Sequence, residues 1–160
     1  MDNKEFLEDL RVELDNLKRL GDEMHELLGK ISDNSGFTEI RSAASILHDF
    51  YSGAEKIFER IALYIDNNLP KGEEWHRELL LQMTKPFRKR KRAVTSEELF
   101  QKLKEYLRFR HLFRHIYGFE LKWNRIKPLC LDMENVLNQF MFEINKFLEE
   151  IRNEEQKHDT

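Results

Sequence analysis

Apolar residues recur along the chain every three or four positions, and four long stripes can be traced. Phe6, Leu10, Leu14, Leu17, Met24 and Leu28 lie at spacings of three, four or seven with charges between them, which predicts an amphipathic helix from about Asp2 to Lys30. Ser32-Asp33-Asn34-Ser35-Gly36 ends it, because these residues favour caps and turns over helix interiors. A second stripe through Ile40, Ala43, Leu47, Phe50, Ala54, Ile57, Ile61 and Ile65 predicts a second helix, closed by Asp66-Asn67-Asn68-Leu69-Pro70-Lys71-Gly72. A short helix over about Glu73 to Met83 carries Trp75, Leu79 and Leu80. Thr95-Ser96-Glu97-Glu98 predicts a capping box, in which the Thr95 hydroxyl takes the Glu98 N–H and the Glu98 carboxylate reaches back. The helix opened there bears Leu99, Leu103, Tyr106, Leu107 and Phe113, and is expected to stop near Gly118 in the left-handed region. The last stripe runs from about Lys122 through Trp123, Ile126, Met133, Leu137, Phe140, Ile144, Phe147 and Ile151, with Pro128 expected to kink this helix or mark its true start.

No segment has strand period, and no repeat or linker interrupts the pattern. The expected fold is all-α: an up-and-down bundle of four long helices plus one short helix, in a single domain over 1–155 with a disordered tail over 156–160. Composition agrees. Six Gly and three Pro in 160 residues are too few turn formers for a many-stranded sandwich or barrel. Twelve Phe exclude a disordered chain although 36% of the residues are charged. No apolar run approaches the ~18 residues of a membrane span, and the first residues lack a signal-peptide core, so a cytoplasmic protein is expected. The single cysteine, Cys130, fits a reducing compartment and a packed, inert role. Phe109 and Ile116, left over from the stripes, are expected to extend one to the surface and support a homodimer.

Net charge is −3, but it is unevenly distributed. Lys85 to Lys127 holds 14 Lys/Arg against 4 Asp/Glu, a local charge of +10, whereas the remaining residues hold 13 against 26, a charge of −13. A basic stretch on an otherwise acidic chain is the electrostatic footprint of a surface that meets phosphates, and equally of a solvated helix face with a basic loop. Arg88-Lys89-Arg90-Lys91-Arg92 is an exposed-loop candidate for RNA phosphate contacts or for docking an acidic protein.

Within the basic stretch, Tyr106 to Gly118 combines His111 and His115 with Arg108, Arg110, Arg114 and Tyr117. The other histidines (His25, His48, His76 and His158) have no charged constellation along the sequence, which suggests packing or surface roles. Helical spacing puts Arg110, Arg114 and Tyr117 on one face and His111 and His115 on another, with Arg110 and His115 about 140° apart. Three chemistries remain open. The two imidazoles at i, i+4 suit a metal, but position 112 is Leu and no third ligand is evident. The cations alternatively do no more than complement a helix dipole. In the third reading His115 is a general acid/base and Arg110 stabilises a phosphorane-like transition state in metal-independent RNA cleavage, with the ribose 2′-OH as nucleophile. Trp75 and Trp123 are flat enough to stack on bases, although packing is the commoner role.

Arg110-His111-Leu112-Phe113-Arg114-His115-Ile116-Tyr117 resembles the R-x4-H-x-Y motif of HepT-like toxins in the HEPN superfamily. The flanks are similar over Gly53 to Ala62, Leu69 to Leu80 and Tyr106 to Leu121. The resemblance implies a HEPN bundle that dimerises so that two R-x4-H motifs face one cleft, and an endoribonuclease that uses Arg110 and His115 without a cofactor or metal. It implies a type VII toxin–antitoxin partner, a minimal nucleotidyltransferase that adenylylates Tyr117. His111, Arg114 and Arg108 would support RNA binding. With no nucleotidyltransferase signature of its own, the chain would accept AMP and not donate it. A non-catalytic HEPN module that binds nucleotide or RNA beside a nucleotidyltransferase is the alternative, and a helical scaffold docking a protein is a third.

Overall fold

The computed structural model describes residues 2–158, most of them in five α-helices: α1 (Asn3–Leu28), α2 (Phe37–Tyr64), α3 (Trp75–Gln82), α4 (Glu97–Phe113) and α5 (Trp123–His158). A 3-10 turn over Gly118–Glu120 precedes α5, and the described residues contain no strand beyond a single bridge between Phe87 and Arg90. The fold is the expected all-α bundle.

Packing follows the stripes. α1 lies on α2, α2 on α4, α4 on α5 and α5 back on α1, so the long helices close a ring around one core while α3 braces α2 and α4. Phe6, Leu17, Phe50, Ile57, Tyr106 and Phe140 are fully buried there. Each such side chain contributes roughly 1.5–3 kcal/mol by leaving water. Two glycines let α1 approach its neighbours closely: a Cβ at Gly53 would meet Leu17 Cδ2 at 2.6 Å, and one at Gly21 would meet Leu137 Cδ2 at 2.7 Å.

Caps and breakers set the ends, with some departures from expectation. Asp2 caps α1 by accepting the Glu5 N–H at 2.8 Å, and the Glu5 carboxylate accepts the Asp2 N–H in return. α4 begins one residue later than its capping box implies: Ser96, not Thr95, accepts the Leu99 N–H at 3.1 Å. Thr95 is buried, and the return bond to the cap N–H comes from Glu143 of α5. α4 also ends before Gly118, at Phe113, and Gly118 is not left-handed. It opens the 3-10 turn beneath Arg41, whose Nε would stand 2.3 Å from an added Cβ. Pro128 is carried inside α5.

Phe109 is buried and not on the surface, and Ile116 packs partly against the core; Leu112 and Phe119 are exposed instead. α5 continues through residues 156–158, and residues 159–160 of the expected tail lie outside the described residues. Among the described residues no helix is long and apolar enough to cross a membrane.

Candidate functional site

The last turn of α4 and the chain just beyond it build one wall of a cleft. Arg110 and His111 belong to that turn; the Arg114 N–H still makes a helical bond to the Arg110 carbonyl at 3.2 Å, and the His115 N–H then makes a single 3-10-type bond to the Leu112 carbonyl at 3.0 Å. Arg108, Arg110, His111, Arg114 and His115 all line one cleft of about 610 Å³, with His76, Arg77, Glu73 and Glu74 on the facing wall. The His111 and His115 rings lie 4.5 Å apart between centroids.

Arg110 is anchored from below. Its side chain is 13% exposed, and Nη1 donates to Oε1 of Glu55 at 3.0 Å. Glu55 projects from the buried face of α2, where a bare carboxylate would be expensive to bury, and so needs cationic or polar partners. It finds two, because its Oε2 also lies 2.8 Å from Nδ1 of His76. Arg110 Nε is buried and makes no hydrogen bond among the described residues. Burial raises the Tyr51 hydroxyl and the Glu59 carboxyl above their ordinary ranges, and the negative charge of Glu55 adds to both shifts. Buried polar groups of α2 thus back the cationic wall of the cleft through Arg110 and His76.

Residues 42–151 match the family model described as HepT-like protein. The chain belongs to the HepT-like family. That membership places it in the HEPN superfamily and with HEPN-type toxin–antitoxin modules. No curated protein and no solved structure matches it.

In this HepT-like chain the structure brings together Arg108, Arg110, His111, Arg114 and His115, but separates other expected residues from them. Tyr117 does not share the face of Arg110 and Arg114, because α4 has already ended; it stands 71% exposed in extended backbone, stacked on Phe119 at 5.2 Å. Arg108 pairs with Glu105 at 2.8 Å on the surface.

The basic loop lies away from the cleft, and one member of it is no surface residue. Arg90 is buried, and pairs with both carboxylate oxygens of Asp66 at 2.7 and 3.0 Å. Its guanidinium also donates to the carbonyls of Lys85, Arg92 and Gln82, so it holds the loop shut instead of meeting RNA. Arg92 pairs with Glu150 and Glu154 of α5. Arg88, Lys89 and Lys91 are exposed, Arg88 with φ 51°.

His76 is the residue that local pattern misjudges. Its partners, Glu55 and Arg110, are 21 and 34 positions away. The available signal is Glu55 itself, a carboxylate among Tyr51, Ala54 and Phe58 on the apolar side of α2. Trp75 is half-buried against the core with its ring tilted against that of His76, whereas Trp123 is buried and donates through Nε1 to Asp33 at 3.1 Å. Cys130 is buried, and its thiol is pushed up to about 12.

Proposed function

We propose that this protein is the toxin of a HEPN/nucleotidyltransferase pair, a metal-independent endoribonuclease using Arg110 and His115. The observation that carries the reading is the convergence of Arg110, Arg114, His111 and His115 on one cleft, with Arg110 held in place by a buried carboxylate. Preorganised donors aimed at developing charge are the strongest catalytic device available to side chains. With Nη1 held by Glu55, the guanidinium of Arg110 is fixed at the cleft, where its positive charge can stabilise a phosphorane. His115 removes the 2′-OH proton, O2′ attacks phosphorus, and the products are a 2′,3′-cyclic phosphate and a free 5′-OH.

Two copies facing each other through this cleft would double the motif, and exposed Leu112 and Phe119 offer apolar surface beside it. Tyr117, 71% exposed and two residues beyond His115, is accessible to an adenylylating antitoxin. Two residues of extended chain span at most ~7 Å, so an AMP group there would bring negative charge to the cleft mouth and compete with RNA.

The test is cleavage of a labelled RNA by the purified protein and by His115→Ala and Arg110→Ala. Each variant should lose activity by about 10²-fold or more while keeping its helical content and oligomeric state. Undiminished cleavage by His115→Ala overturns the assignment. Intact mass after co-expression with the neighbouring nucleotidyltransferase should show added AMP, absent from Tyr117→Phe.

The Arg110–Glu55 pair favours one rival, since a guanidinium already neutralised by a carboxylate has less charge for a transition state. That rival is a non-catalytic HEPN module, for which RNA binds but no cyclic phosphate forms.

A further inference from the structure

Glu55 meets its two partners through opposite oxygens, and the three groups constrain one another's hydrogen-bonding roles. Arg110 Nη1 lies 3.0 Å from Glu55 Oε1 and 3.1 Å from His76 Nδ1, while that same Nδ1 lies 2.8 Å from Glu55 Oε2. A guanidinium only donates and a carboxylate only accepts, so Nδ1 either sends a proton to Glu55 or offers a lone pair to Arg110. A lone pair 2.8 Å from a carboxylate oxygen is repelled, and a charge-assisted N–H···O bond at that length is strong. Nδ1 therefore carries the proton. The opposite ring nitrogen, Nε2, is left to the cleft that His76 shares with Arg110 and His115. Trp75, 3.7 Å away between ring centroids, packs on the imidazole and fixes its plane. A ring oriented by a buried carboxylate on one nitrogen, with the other facing a reaction cleft, is the arrangement of a proton-transfer histidine.

We infer that His76 is the second proton-transfer group of the ribonuclease cleft, the general acid to the His115 base. The inference rests on the endoribonuclease reading. As His115 takes the 2′-OH proton, the O2′–P bond forms and the P–O5′ bond breaks; the electron pair leaves on O5′, which receives the Nε2 proton of the His76 imidazolium. Glu55 accepts from Nδ1 and so holds the ring in place while Nε2 gives up its proton. The neutral His76 left behind regains its proton from water as the cyclic phosphate departs.

The experiment compares an RNA oligonucleotide having one ordinary cleavable linkage with the same oligonucleotide having sulfur in place of the bridging O5′. A thiolate leaves without a proton, so only the oxygen substrate needs the acid. His76→Ala and His76→Gln should cleave the oxygen substrate about 10²- to 10⁴-fold more slowly than the parent and the sulfur substrate at close to the parental rate. His115→Ala should be slow on both. The Gln amide still donates to Glu55, so His76→Gln guards against a variant that merely misfolds. Parental rates on the oxygen substrate, or equal losses on both substrates by His76→Gln, overturn the role of His76 and leave that of His115 standing. Parental rates in His115→Ala, or a parent that yields no cyclic phosphate, overturn the underlying reading instead.

Discussion

Two buried carboxylates divide the work of this molecule. Glu55 orients Arg110 and His76 in the cleft, whereas Asp66 holds Arg90 and, through it, the loop that joins α3 to α4. The Asp66–Arg90 pair is the more completely desolvated, with side chains at 0% and 2% exposure. Breaking one side of such a pair strands the other charge, so Asp66→Ala should cost about 3–5 kcal/mol in a denaturant titration. A cost below about 1 kcal/mol would mean that Arg90 finds water once released. Within the fully folded population of that variant, cleavage at Arg110 and His115 should be unchanged, because Arg90 lies outside the cleft.

The site depends on where α4 stops. Three residues beyond Phe113 separate Tyr117 from the helix, while Arg114 and His115, just past its end, line the same cleft as Arg110. The other end of α4 is set by Ser96, which accepts the Leu99 N–H and whose own hydroxyl bonds to Glu143 of α5. Ser96→Ala should lower thermal stability by about 1 kcal/mol, the ordinary cost of removing an N-cap. Stability equal to the parent would mean that Glu143 alone satisfies this terminus. The apolar stripes make the helices themselves legible, since burial on one face needs only a 3.6-residue period. Their termini are less so. At Ser96 the cap N–H is satisfied by Glu143, a side chain of another helix, and at Gly118 the space a Cβ would need is taken by Arg41 of α2.

Across the whole molecule, the +10 stretch resolves into two surfaces of different character. One is the cleft rim, and the other is the exposed part of the loop at Arg88, Lys89 and Lys91. Under the proposed function, charges outside the cleft would act on RNA through screened attraction, over a Debye length of about 8 Å at physiological salt. Joint replacement of Lys89 and Lys91 by Ala should therefore weaken RNA binding at low salt and flatten the log K against log salt plot by ~0.7 for each phosphate that the loop no longer neutralises. The cleavage rate at saturating RNA should stay at the parental value. A lower saturated rate would put the loop beside the reacting phosphate in the assembled protein, and unchanged binding would assign it to protein contacts.

Spacing and composition alone specify the all-α class, the four stripes that make the core, the concentration of positive charge, and the R-x4-H-x-Y motif around Arg110, His115 and Tyr117. One chain carries each of these properties in full, whatever its neighbours in space. Folding was needed to bring His76 and Glu55 under Arg110, to turn Arg90 into an internal strut, and to take Tyr117 off the helix face. The reason is distance along the chain: Glu55 and Arg110 are 55 positions apart, and nothing local tells a buried carboxylate which distant cation will satisfy it. Burial forced the pairing, and the packing of α2, α3 and α4 chose the partners.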